Sequence, residues 1–113
     1  MSCRSFRFRC INSGLVRITK AADTVVLDHF EDDDDVGILP PCLRLEFDAA
    51  EFDAKVRSFA AGADRVSISE PGRTLIITRV MRPGEVNILA RETMTESGSH
   101  MECVVDDIGL LLS

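Results

Sequence analysis

Apolar and polar residues alternate over several short stretches of the chain, which is the pattern of strands with one buried face. The alternation is clearest at residues 6–10, where Arg7 and Arg9 separate Phe6, Phe8 and Cys10. Similar or β-branched stretches follow at 16–19, 24–30, 43–47, 66–68, 74–80 and 86–91. Because short turns join most of them, neighbouring strands are expected to pair antiparallel.

One segment has the helical period instead. Phe52, Val56 and Phe59 recur at spacings that place them on one helix face. Asp48 can cap the first turn, and Glu51 follows three residues later, as in a capping box. We therefore predict one helix at about 48–61. The predicted fold class is α+β, with a mainly antiparallel sheet of about six to seven strands: three strands, a loop, a strand, the helix and three strands.

The length and composition fit one globular domain, since the chain has 113 residues of which 45% are hydrophobic. No apolar run approaches the ~18 residues that span a bilayer, and the first residues lack the apolar stretch of a secretion signal. Four cysteines lie scattered without a C-x-x-C pair, which favours reduced thiols over a zinc site. We expect an intracellular protein, cytoplasmic or nuclear, without membrane contact.

Residues 97–101 do not resemble a natural protein sequence. Gly-Ser-His-Met is the remnant that expression vectors leave after a purification tag is cut, yet here it lies inside the chain. We therefore predict a domain at 1–96, an engineered linker at 97–101, and a fused or docking peptide at 102–113. The alternatives are a natural loop that happens to spell these residues and a native last strand that completes the sheet.

The segment 102–113 is acidic and apolar, and two bound shapes remain open. A helix would place Val104, Ile108, Leu111 and Leu112 on one face, as in helix-in-groove recognition, whereas a strand including Val105 could extend a sheet edge. The segment also resembles acidic dileucine sorting signals and coactivator I-x-x-L-L boxes. Asp106 and Asp107 need cationic partners, and docking in trans within a homo-oligomer is a further alternative.

Charge is distributed unevenly along the chain. Residues 1–20 carry five basic residues and no acids, whereas residues 23–53 carry eleven acids against the single Arg44. Such asymmetry indicates a binding surface. We predict that Arg7, Arg9 and Arg17 form the surface that receives the segment 102–113.

No motif in the sequence supports catalysis. His29 lies beside Asp28, but no nucleophile is placed by a known pattern, so a half-buried strand histidine is the expected role. The run Asp32–Asp35 lacks the alternating oxygens of a calcium loop and is expected to be a solvated loop. We predict no enzyme activity, no catalytic residue, no metal and no cofactor.

Three stretches resemble a known family. Leu43–Phe47, Ala50–Phe59 and Asp64–Ile68 together resemble the repeating half-domain of DNA sliding clamps, over residues 36–92. The resemblance implies ring assembly, helices lining a DNA channel and an outer surface for partner peptides. The chain has one recognisable half-unit, and its helix mixes acidic with basic residues. Arg44–Phe59 also resembles the strand-plus-helix ending of small actinobacterial regulatory proteins.

These patterns predict a non-enzymatic protein–protein interaction domain that binds a short acidic–hydrophobic peptide, represented by residues 102–113. The alternative is a sliding-clamp-like or small regulatory protein acting at DNA, with Arg7, Arg9, Arg17 and Lys20 meeting phosphates. Binding of single-stranded nucleic acid has little support from composition, because the chain has no Trp or Tyr for base stacking.

Overall fold

The computed structural model describes residues 4–10, 14–32, 36–80, 82, 85–92, 100–106 and 108–112. These residues form eight strands and two helices. The chain begins with β1 (Arg4–Arg9), β2 (Leu15–Lys20), β3 (Thr24–Phe30), β4 (Leu43–Asp48) and helix α1 (Ala49–Ala60). It continues with β5 (Arg65–Glu70), β6 (Arg73–Arg79), β7 (Val86–Glu92), β8 (His100–Val105) and the short helix α2 (Gly109–Leu112).

The strands form two antiparallel sheets, each of four strands in sequence order. Sheet 1 is β1-β2-β3-β4 and sheet 2 is β5-β6-β7-β8. Alternate residues of the strands face the core; in the edge strand β4, for example, Leu43, Leu45 and Phe47 are buried and the residues between them are exposed. Burying the whole apolar face of both sheets is the main stabilising contribution to the fold.

Helix α1 lies against the apolar faces of the sheets. Asp48 caps it, since the Asp48 carboxylate accepts a hydrogen bond of 2.9 Å from the Glu51 amide. The three predicted positions Phe52, Val56 and Phe59 are at most 2% exposed. The prediction of a helix at about 48–61 with this buried face is therefore confirmed. Of the helices within the described residues, neither is long and apolar enough to cross a membrane.

The two sheets are topologically equivalent, because exchanging β1–β4 for β5–β8 leaves the strand order unchanged. In the unit β4-α1-β5-β6-β7, the first strand lies in sheet 1 and the last three lie in sheet 2. The same relation holds for β8 and α2 taken with β1-β2-β3, with the sheets exchanged. The described fold thus contains one continuous and one divided strand–helix–three-strand unit, although the sequence has no recognisable repeat.

The sheets meet where β1 approaches β8. Cys10, the residue after β1, forms an isolated antiparallel bridge with Cys103 of β8. The Cys10 amide donates a 3.1 Å hydrogen bond to the carbonyl of Gly14, which closes the β1–β2 connection. Gly14 has φ of 92°, and a Cβ atom there would collide with the Phe30 carbonyl oxygen. Only glycine fits this turn without strain.

The predicted α+β class and the mainly antiparallel pairing are confirmed, but the predicted count of about six to seven strands with one helix is wrong. The described residues contain eight strands in two sheets and a second helix. The additional strand β8 begins at His100, within the segment 97–101 predicted to be a linker, and Met101 is 2% exposed. Residues 97–99 lie outside the described residues, as do Cys3 and Asp33–Asp35 of the acidic run.

Candidate functional site

Strand β8 joins the acidic–apolar segment to sheet 2. It pairs antiparallel with β7 over six residue pairs, from Val86↔Val105 to Arg91↔His100. Its inward side chains Met101, Cys103 and Val105 are at most 2% exposed. The first part of the segment 102–113 therefore lies as a strand, and Val105 lies in the core.

Helix α2 continues the segment beyond β8. Leu111 is fully buried, whereas its neighbour Leu110 is 41% exposed. Ile108 and Leu112 pack partly buried against the core. The apolar part of the segment is thus held by one fully buried anchor with two flanking side chains. Asp107 and Ser113 lie outside the described residues.

A cleft of about 380 Å³ lies between β1 and the β8–α2 segment. It brings two of the predicted receiving residues together with parts of the predicted peptide, and its lining is Arg7, Phe8, Arg9, Val104, Asp106 and Leu110. Arg7 and Arg9 are exposed and point to the same side of β1, since they alternate with half-buried Phe8. The cleft therefore combines cationic side chains with an apolar floor and one carboxylate.

Arg17, the third predicted receiving residue, does not line this cleft. It lies opposite Arg7 across the β1–β2 pair, but its guanidinium is 3.2 Å from the Asp28 carboxylate. Asp28 is 2% exposed and is also 3.6 Å from Arg44. The Arg17 guanidinium lies 5.2 Å from the centre of the Phe30 ring. Arg17 therefore neutralises a buried carboxylate on the outer face of sheet 1.

Lys20 has a role that sequence patterns did not indicate. Its ammonium group donates a 2.7 Å hydrogen bond to the Leu111 carbonyl and lies 2.9 Å from the Asp53 carboxylate. The Lys20 side chain is 11% exposed, on the face of β2 opposite to Arg17. Lys20 thus joins sheet 1, α1 and α2. Residues 17 and 20 are three positions apart in one strand, so their side chains lie on opposite faces of the sheet. This alternation argues against the prediction that Lys20 binds phosphates together with the arginines.

Replacing Lys20 with methionine should lower the free energy of unfolding by about 1–2 kcal/mol, because a charged hydrogen bond to a main-chain carbonyl is lost while the apolar stem is kept. The ion pair with Asp53 contributes less, since Asp53 is 39% exposed. Urea denaturation of Lys20→Met and of Lys55→Met, the chain's other lysine, provides the comparison. Equal stability of the two variants would contradict the proposed joining role.

The Cys103 side chain of β8 is fully buried in the core. Burial raises the pKa of the Cys103 thiol to about 12, with smaller contributions from the Cys10 and Glu102 charges. The thiol is therefore neutral at physiological pH, and it is a poor nucleophile there.

This raised pKa predicts a loss of stability in alkaline solution. The unfolded chain ionises this thiol near pH 9.0 and the folded chain only near pH 12. The neutral thiol's contribution is therefore complete below pH 9 and is lost as the pH rises toward 12. Between pH 8 and about pH 10.5, the free energy of unfolding should fall by ~2 kcal/mol more for the native chain than for Cys103→Val. Urea denaturation of the two proteins at each pH measures this difference. An equal fall in the free energy of unfolding of both proteins would contradict the prediction.

His29 and Cys42 form a close pair beside β4. The Cys42 sulfur is 3.4 Å from His29 Nδ1 and donates to the His29 carbonyl at 3.2 Å. His29 is half-buried in β3, as expected, while Cys42 is exposed and directly precedes β4. Within the part of the chain that the structure describes, no group of three or more metal-ligating side chains occurs.

A second cleft, of about 290 Å³, lies between β4 and the β5–β6 turn. It is lined by Arg44, Leu45, Glu46, Pro71, Gly72, Arg73 and Glu92. Arg44 lies near Asp28 and Glu46, and Arg73 binds Glu70 and covers the Phe47 ring. The lining has two arginines and two glutamates, whereas the cleft at β1 has two arginines and one aspartate, so the cleft at β4 is less suited to an acidic ligand.

Comparison of the chain with protein-family models, with curated proteins and with solved structures gave no significant match. The geometry of the two sheets and of the cleft between β1 and β8 is therefore the basis for a proposed function.

Proposed function

We propose that residues 1–96 form a non-enzymatic protein–protein interaction domain that binds a short acidic–hydrophobic peptide, represented by residues 102–113. The peptide adds a strand to sheet 2 beside β7 and places an apolar anchor near α1. The same contact could be made by the chain's own segment, in cis or in trans, and by a partner's segment of equal chemistry. Recognition by strand addition is a common mode of peptide binding.

The observation that carries the proposal is the pairing of β8 with β7. Four of the six pairs, from Leu89↔Glu102 to Val86↔Val105, lie within the peptide, and their main-chain hydrogen bonds give affinity that is largely independent of sequence. Specificity then comes from alternate side chains, and within the peptide Cys103 and Val105 enter the core while Glu102 stays exposed. A ligand of this class needs apolar residues at every second position.

The anchor residue supports the same proposal. Leu111 is fully buried and its carbonyl accepts the hydrogen bond from Lys20. A leucine that is buried on binding contributes about 1.5–3 kcal/mol. A ligand must therefore provide both a strand and a leucine several residues later. These two requirements exclude more peptides than pairing with a sheet edge does by itself.

Charge complementarity at the cleft is the third support. Arg7 and Arg9 flank Val104, Leu110 and the Asp106 carboxylate. Exposed charges affect association rate and salt dependence more than affinity. An acidic segment should therefore associate faster at low salt, and replacing both arginines with neutral glutamine should remove that dependence.

Titration of residues 1–96 with a synthetic peptide of residues 102–113, by calorimetry, tests the proposal. We expect saturable binding that weakens with added salt. A peptide carrying Leu111→Ala should bind at least tenfold more weakly, whereas one carrying Leu110→Ala should bind nearly as well, since Leu110 is 41% exposed. In Arg7→Gln/Arg9→Gln the salt dependence should disappear.

If residues 1–96 are unfolded without the peptide, the segment is a structural element of the domain and the interaction proposal is wrong. The proposal is also wrong if residues 1–96 are folded but show no binding of the peptide at millimolar concentration.

A sliding-clamp-like protein is the second candidate, and one observation favours it. The divided unit of β8-α2 and β1-β2-β3 complements the continuous unit β4-α1-β5-β6-β7, whereas the sequence resemblance covered a single half-unit. Helix α1 carries Glu51 and Asp53 as well as Lys55 and Arg57, so its charge gives no attraction to phosphates. Salt-dependent retention of the intact chain on duplex DNA would select this candidate.

A further inference from the structure

Two cysteines face each other where sheet 1 meets sheet 2. Cys10 and Cys103 are direct partners in an antiparallel bridge, and neither is in a disulfide. Both lie on the core side of their strands, since Cys10 follows half-buried Phe8 by two residues and Cys103 lies between buried Met101 and Val105. Cys10 is half-buried, whereas Cys103 is fully buried. One thiol is thus within reach of a solute and the other is not.

The bridge has the geometry that a disulfide needs. The Cys10 amide donates to the carbonyl of Gly14, the residue before β2, and so points away from β8. The two cysteines are therefore a non-hydrogen-bonded pair, whose Cα atoms lie about 4.5 Å apart in antiparallel sheets. Disulfides span Cα separations of about 4.4–6.8 Å, so the bond can form with little movement of the strands. The Cys10 charge also contributes to the raised pKa of Cys103, as expected for sulfurs that lie close together.

We propose that Cys10 and Cys103 are a site of reversible oxidation, at which a small disulfide such as oxidised glutathione converts the two thiols into a cross-strand disulfide between β1 and β8. The Cys10 thiolate first attacks the small disulfide, which gives a mixed disulfide and one glutathione thiolate. The Cys103 sulfur then attacks the Cys10 sulfur and expels the second glutathione as a thiolate, which takes up the proton that Cys103 loses. In total two protein thiols are oxidised and one glutathione disulfide is reduced to two glutathione thiols.

The product ties the end of β1 to the middle of β8 and so fastens the acidic–apolar segment to sheet 1. The first step falls to Cys10 because Cys103 is buried. The second step should be slow at neutral pH, since the Cys103 thiol is neutral there, and it should accelerate as the pH rises. This inference concerns the thiols alone and does not depend on the proposed peptide binding.

The experiment uses the full chain with Cys3→Ser and Cys42→Ser, which leaves Cys10 and Cys103 of the four cysteines. After incubation with oxidised glutathione, we expect reactive thiols in the denatured protein to fall from two to none per chain. Intact mass should show the loss of two hydrogens and no added glutathione. The thermal midpoint should rise, because the bond closes a long loop, and it should return on reduction with dithiothreitol.

The same chain with Cys10→Ala is the matched control, and we expect its Cys103 to stay reduced in the folded protein. A lasting glutathione adduct on Cys10, with Cys103 still a thiol, would overturn the proposal. Disulfide-linked dimers without the intramolecular bond, or no reaction at all, would overturn it too. Because the half-buried Cys10 can be removed with little loss of packing, the control does not depend on altering the buried Cys103.

Discussion

Phe59→Ala should lower the free energy of unfolding by about 3–5 kcal/mol, a large part of the total stability of a domain of this size. Phe59 is fully buried, and the Arg79 guanidinium lies 4.5 Å from the centre of its ring. Truncation removes the buried ring and leaves a cavity between α1 and the sheets. The Arg79 side chain also donates a 2.6 Å hydrogen bond to the Phe59 carbonyl, which the variant can keep.

The matched control is Ser58→Ala, the neighbouring residue on the exposed side of the same helix. We expect a change of no more than about 0.5 kcal/mol there, as for most surface substitutions. Urea denaturation followed by circular dichroism measures both. Similar midpoints for the two variants would mean that the assigned buried face of α1 is wrong.

Leu111→Ala should have the second-largest effect, a destabilisation of about 2–5 kcal/mol in the intact chain. Leu111 is fully buried, and α2 is placed against α1 partly by the hydrogen bond from Lys20 to the Leu111 carbonyl. The adjacent Leu110 is 41% exposed, so Leu110→Ala should change stability by less than about 0.5 kcal/mol.

Comparing two neighbouring leucines keeps the composition of the two variants identical. Chemical denaturation of both tests whether the end of the chain packs as described. A loss of stability in Leu110→Ala that equals the loss in Leu111→Ala would contradict the assigned burial.

Strand alternation and helix periodicity predicted the elements between residues 4 and 92 well. Asp48, Phe52 and Phe59 were assigned from spacing alone, and each has the predicted role. These predictions succeed because caps and amphipathic faces are local properties that the chain encodes over a few residues.

The eighth strand was predicted only as an alternative to a linker with a docking peptide, and the reason is different. Met101, Cys103 and Val105 alternate with exposed or half-buried residues. Gly98–Met101 resembles a vector remnant, and for this reason residues 97–101 were predicted to be a linker and not the start of a strand. Division into two sheets could not be predicted either, because periodicity states which face of a strand is buried and not which sheet it joins.

The candidate site was predicted in part. Arg7 and Arg9 lie beside Val104 and Asp106 in the described cleft, while Arg17 is bound to Asp28. The pairing of Arg17 with Asp28 depends on the β2–β3 register, which the sequence does not give directly. Lys20 reaches the Leu111 carbonyl across 91 residues of sequence, a long-range contact that no local pattern encodes.

Amide chemical shifts of ¹⁵N-labelled residues 1–96, recorded while unlabelled peptide 102–113 is added, test the proposed peptide recognition most directly. We expect a dispersed spectrum of a folded domain before addition. Saturable shifts should then appear along Val86–Glu92 and at Arg7, Arg9 and Lys20, with little change along Arg65–Glu70, the opposite edge of sheet 2. A collapsed spectrum before peptide addition, or shifts concentrated on Arg65–Glu70, would contradict strand addition beside β7.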